Sequence, residues 1–167
     1  MGFFTGVSGV ERTTSNSKGS YFQDGQYVVE INKLEAKNKR DDGQPIAIVE
    51  AYIVEVLRST GNSNREGDKV AWFNDLGRKP DGEFTDSGKR GMSRLKSFIA
   101  ELLGGDAEGV TDAHITEDVC EQLFGAADGF TGEETKGVRL IAEATTTVST
   151  KSGKPFTNVY WRTLGNS

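Results

Sequence analysis

Five strand-like segments, with a helical stretch between the third and fourth, predict a mainly β chain with a helical insert in the order β-β-β-α-β-β. Three observations carry this. Apolar and polar residues alternate in the outer segments, the period becomes helical only after about residue 88, and clusters of Gly, Pro, Asn and Asp separate the runs. With 167 residues the chain is long enough to bury a real core, and 21 Gly against a mean hydropathy of -0.51 point to a loop-rich soluble domain.

Residues 1–24 are rich in Gly, Ser, Thr and Asn without clear patterning, which predicts a flexible arm ahead of a domain spanning 25–165. In "QYVVEINKLEAK", Tyr27, Val29 and Ile31 fall on one face and Glu30 and Asn32 on the other, as in a strand. "NKRDDGQP" is a turn cluster. "IAIVEAYIVEVLRS" follows, with Ile46, Ile48, Tyr52, Val54 and Val56 in phase; its length predicts a strand that bends, as barrel strands do. After the loop "TGNSNREGD" comes a short strand, "KVAWFN".

The helical insert is expected at about 88–125. Met92, Leu95, Ile99, Leu102 and Leu103 recur at helical spacing, and Gly104 with Gly105 stops the run. A second, shorter helix is expected in "ITEDVCEQLFG", with Thr116 as N-cap, acids in the first turn, and Val119 and Leu123 as its apolar stripe. "GVRLIAEATTTVS" and "PFTNVYWRTL" supply the last two strands.

Count, order and loop positions are those of the OB-fold, a small five-stranded Greek-key barrel. The loops after strands 1 and 4, "KNKRDDGQPI" and "TKSGKPF", share a pattern: basic residues, Gly, one residue, Pro and an apolar strand start. In such a barrel these two loops flank one binding face. Over Gln26–Leu164 the chain resembles the phage-encoded single-stranded DNA-binding proteins of OB-fold type. The likeness rests on "GQYVVEINKLEAK", "DGQPIAIVEAYIVE", "RLKSFIAELLG" and "TKSGKPFTNVYWRT". It implies a DNA-binding viral protein acting in DNA replication or recombination in the cytoplasm of an infected host cell. The expected partners are single-stranded DNA, replication or recombination proteins and further copies of the chain. Many members end in an acidic tail, whereas this chain ends "TLGNS" and carries its acidic run internally.

That run matters for charge. The formal net charge is -5, yet nine acidic residues and no Lys or Arg lie between Asp106 and Glu134, which leaves a surplus of four positive charges elsewhere. A polyanion responds to the local field more than to the sum. A binder of single strands needs cations for the backbone and aromatic faces for the bases. The candidate cations are Lys37, Lys39, Arg40, Arg58, Lys69, Lys151, Lys154 and Arg162; the candidate rings are Tyr52, Trp72 or its neighbour Phe73, Phe156, and Tyr160 or its neighbour Trp161, with one of each adjacent pair in the core. Strand alternation sets Phe156, Asn158, Tyr160 and Arg162 on one face and Thr157, Val159, Trp161 and Thr163 on the other, which favours Tyr160 over Trp161 as the accessible ring. Lys89, Arg90, Arg94 and Lys96 are either a solvated helix face or a second phosphate track.

Other functions find little support in the residues. His114 is the single histidine, Cys120 stands alone, and neither GxxxxGK[ST] nor GxGxxG occurs, so no enzyme activity, metal or cofactor is expected. No apolar run reaches the roughly 18 residues of a membrane span. The alternative is a non-enzymatic β-barrel that binds protein, such as a virion component; a small metal-dependent nuclease is the weakest reading.

Overall fold

A computed structural model of the chain describes residues 21–148, 153 and 155–164. Strands β1 (Gly25–Asn38), β2 (Pro45–Ser59), β3 (Lys69–Asp75), β4 (Arg139–Val148) and β5 (Pro155–Thr163) form one sheet in the order β3-β2-β1-β4-β5, with every neighbouring pair antiparallel. Helices α1 (Asp86–Leu102) and α2 (Glu117–Leu123) lie between β3 and β4 in the chain. The class is therefore mainly β: a five-stranded antiparallel sheet with two helices.

The alternation read in β1 holds, with Tyr27, Val29 and Ile31 all buried; Leu34, past the slip at Ile31/Lys33, is buried as well. In β2 the residues read as one phase divide. Ile46 is buried while Ile48 and Tyr52 face outward, and Ala47, Val49, Ala51 and Ile53 enter the core. The strand is apolar in both phases, so its choice comes from its partner: Val29 pairs with Ile53, Ile31 with Ala51 and Leu34 with Val49. The β1–β2 register slips at Gln26/Tyr27, Val28/Val29 and Ile31/Lys33. Each slip is a bulge-like irregularity that bends the strands and increases their twist.

The bending curls the sheet strongly. In a flat sheet β3 and β5 would stand about 19 Å apart, four spacings of about 4.8 Å. Here the rings of Trp72 on β3 and Trp161 on β5 have centroids 5.2 Å apart, and Phe98 of α1 stacks edge-on to both. No ladder joins β3 to β5 among the described residues, so the sheet is curled but not closed.

Part of the gap is filled by the segment expected to belong to the arm. Tyr21 bridges Ala71 of β3, and Phe22 is buried edge-on against Trp161 at 5.6 Å. The arm expected at 1–24 is corrected in its last four residues, because the aromatic surface in the gap gives Phe22 a site to bury; residues 1–20 lie outside the described residues.

Helix α1 spans the ends of the two edge strands. Thr85 caps it, its hydroxyl accepting from the Gly88 N–H at 3.0 Å. A side chain at Gly91 would collide with the Asp75 carbonyl, so glycine lets the helix sit directly on the end of β3. At the other end, the Thr163 N–H donates to the Glu101 carboxylate at 2.8 Å and the Thr163 hydroxyl donates to the Glu101 carbonyl at 2.8 Å. Helix α2 begins after its expected cap, Thr116, which accepts from the Val119 N–H at 3.2 Å.

The acidic stretch then returns along β1, the middle strand of the sheet. Leu34 N–H donates to the Gly132 carbonyl and Ile31 N–H to the Val138 carbonyl, both at 2.8 Å. Gly132 has φ 85°, and a side chain there would strike the Leu34 carbonyl oxygen.

Two polar residues are buried among the described residues. Asn64 accepts from the Gln23 N–H at 2.7 Å and donates to the Tyr21 carbonyl at 3.2 Å, whereas Asn74 is 1% exposed and neither end of its amide has a hydrogen-bond partner among the described residues. A buried polar group left unpaired costs about 1–3 kcal/mol. Asn74→Leu is therefore expected to raise stability by about 1 kcal/mol; an unfolding midpoint in urea at or below the wild-type value would refute this.

Candidate nucleic-acid interface

Antiparallel pairing sets the 39–44 loop and the Val148 end of β4 at opposite ends of the ladder. The curl then brings the strands that start at those loops toward each other. Phe73, paired with Ile48 near the start of β2, and Phe156, at the start of β5, line one groove of about 540 Å³ in the gap between β3 and β5. Tyr21 and Arg94 also line it, with the edges of the buried Phe22 and Trp72 rings behind them and Asn158 and Thr157 on the β5 side. Tyr21 packs on Phe73 with centroids 5.8 Å apart.

The alternation expected for β5 is observed. Tyr160 is 62% exposed and Phe156 is exposed, whereas Trp161 is 8% exposed and belongs to the core. Tyr52 is exposed on the outer face of β2, beside Lys69 of β3. Trp72 is a correction. It is 7% exposed and locked between Phe98 and Trp161, so it offers no free face; its neighbour Phe73, in the opposite phase, takes that place. The signal was present, since Phe73 shares its phase with Lys69 and Asp75.

The expected cations fare unevenly. Lys37 lies 3.2 Å from Glu35, Lys39 lies 3.4 Å from Asp42, and Lys69 lies 3.9 Å from Glu50. Arg58 contacts both Asp24 at 3.7 Å and Glu143 at 3.5 Å. Arg40 is exposed in the first hairpin turn. Arg162 is exposed on the outer face of β5, with no carboxylate partner among the described residues. Lys151 and Lys154 lie outside the described residues. Arg94 was legible only as one of four helix cations, because nothing local shows which side of α1 meets the gap.

The first hairpin turn is tightly closed. Lys39 N–H donates to the Gln44 carbonyl at 2.7 Å and Gly43 N–H to the Lys39 carbonyl at 2.8 Å. The Gln44 N–H, at 2.9 Å, holds the Asp42 carboxyl below the usual carboxylate range, with Lys39 adding to the effect. Burial pushes the Cys120 thiol up, which keeps it protonated at neutral pH. Among the described residues, no group of three or more His, Cys, Asp or Glu is arranged to hold a metal ion, and no helix is long and apolar enough to cross a membrane.

No protein-family model matches the chain, and no curated protein is significantly similar to it.

Proposed function

We propose that the chain is a non-enzymatic, non-sequence-specific single-stranded DNA-binding protein, and that its curled sheet is an OB-type barrel of the partly open kind. The observation that carries this reading is the groove between β3 and β5, where Tyr21, Phe73 and Phe156 supply rings and Arg94 a guanidinium. Bases stack on aromatic faces at about 1–3 kcal/mol each, without regard to sequence, while cations neutralise the backbone. Strand order and the helical insert before β4 agree with OB architecture. Part of the acidic segment docks on the middle strand through Gly132, while Asp112 lies against Lys96 of α1. A role in phage replication or recombination is the setting in which such a protein protects exposed strands.

A protein-binding role is the second reading, favoured by the carboxylates that already engage Lys37, Lys39, Arg58 and Lys69. Fluorescence anisotropy with labelled oligothymidylate, duplex DNA and RNA separates the two. Preferential binding of the single DNA strand is expected, with affinity falling steeply as salt rises, by a slope of about 0.7 per neutralised phosphate. No binding of oligothymidylate at low salt would leave the protein-binding role, and strand cleavage in magnesium would instead indicate a nuclease.

A further inference from the structure

We infer that a bound strand continues from the aromatic groove over α1 into a second cleft that holds two lysines, so that the helical insert lengthens the binding track. This rests on the reading that the first groove holds single-stranded DNA. The second cleft, about 540 Å³, follows α1 and is lined by Lys89, Ser93, Lys96 and Ser97, with the rings of Phe84 and Trp161. The polar four recur at helical spacing on one side of the helix. The two hollows adjoin. Consecutive residues Ser93 and Arg94 line one each, and Trp161 and Trp72, which also line one each, are the pair in ring contact at 5.2 Å.

The cleft repeats the chemistry of the first groove. The Arg78 guanidinium lies 3.6 Å from the Phe84 ring centroid and brings a third cation close to the cleft. Lys89 is exposed and has no carboxylate partner among the described residues. Two carboxylates also line the cleft. Glu101 accepts from the Thr163 N–H and hydroxyl. Asp112 lies 3.6 Å from Lys96, but its side chain is 89% exposed. A pair so open to solvent is weak, and a phosphate can replace the carboxylate. Lys89, Lys96 and the nearby Arg78 offer cations for phosphates, and Phe84 a ring for a base.

The test compares oligothymidylates of about 4 and about 16 nucleotides, the range of site sizes for one OB-fold. Wild-type protein is expected to bind the longer strand more tightly, with a steeper salt slope. The Lys89→Ala/Lys96→Ala variant, checked for an unchanged melting temperature, is expected to lose that advantage. Its salt slope on the longer strand should fall by about 1.4, while binding of the shorter strand stays as it was. Asp112→Asn is expected to tighten only the longer strand. If both strands bind and the double variant matches wild type on each, the extended track is overturned and the groove reading survives. If the wild-type protein binds neither strand, the groove reading itself falls and the track with it.

Discussion

Trp161→Ala is expected to lower stability by about 3–5 kcal/mol, the range for truncating a large buried aromatic. For a chain of this size that corresponds to a fall in melting temperature on the order of 10 °C. The reason is positional as well as hydrophobic. Trp161 is the side chain that joins β5 to the rest of the curl: it meets Trp72 of β3 at 5.2 Å, Phe98 of α1 at 4.8 Å and Phe22 at 5.6 Å. Since no ladder ties β3 to β5 among the described residues, these ring contacts replace the hydrogen bonds a closed barrel would have there. The adjacent substitution supplies the control. Tyr160→Ala removes a ring that is 62% exposed and should cost about 0.5 kcal/mol or less. Equal losses from the two variants in urea unfolding would mean that β5 does not present its faces as described.

The same pair of residues shows what was legible beforehand. Element types and order followed from periodicity and turn chemistry, because those signals are local. Phe156 and Tyr160 were read as outward from alternation alone, and the structure exposes both. Where both phases of a strand are apolar, alternation gives no answer, and in β2 it did not choose the inner face. Glu50 falls in one phase and Glu55 in the other, so the choice rests on pairing with β1. Trp72 was misassigned for a related reason: alternation says that Trp72 and Phe73 face opposite ways but not which of them faces in, and Trp72 is the buried one.

Long-range features were out of reach. Phe22 is buried only because β3 and β5 curl toward each other around it, and no local pattern reports that approach. Arg94 lines the groove because α1 is fixed at one end by Gly91 against Asp75 and at the other by Glu101 against Thr163. The ion pairs on Arg58 reach from β2 to Asp24 and Glu143, contacts set by the sheet register rather than by sequence neighbours. A count of cations therefore overstated how many stand ready for phosphate.

The Phe73→Ala/Phe156→Ala double variant is expected to weaken single-strand binding more than any other exposed substitution. Each ring offers a stacking face worth about 1–3 kcal/mol, so the pair contributes about 2–6 kcal/mol, a loss of roughly 30-fold to 10⁴-fold in affinity. Both rings border the groove from opposite edge strands, and neither belongs to the buried core, so the fold should survive their loss. Salt dependence separates their part from that of the cation. Removing two uncharged rings should lower affinity by the same factor at every salt concentration, whereas Arg94→Ala should reduce the salt slope by about 0.7. Anisotropy titrations over a salt series read both quantities from one experiment. A double variant that binds within a few-fold of wild type, with Arg94→Ala leaving the slope unchanged, would show that the strand does not lie between β3 and β5. Loss of slope without loss of stacking would show that the backbone passes there while the bases face away.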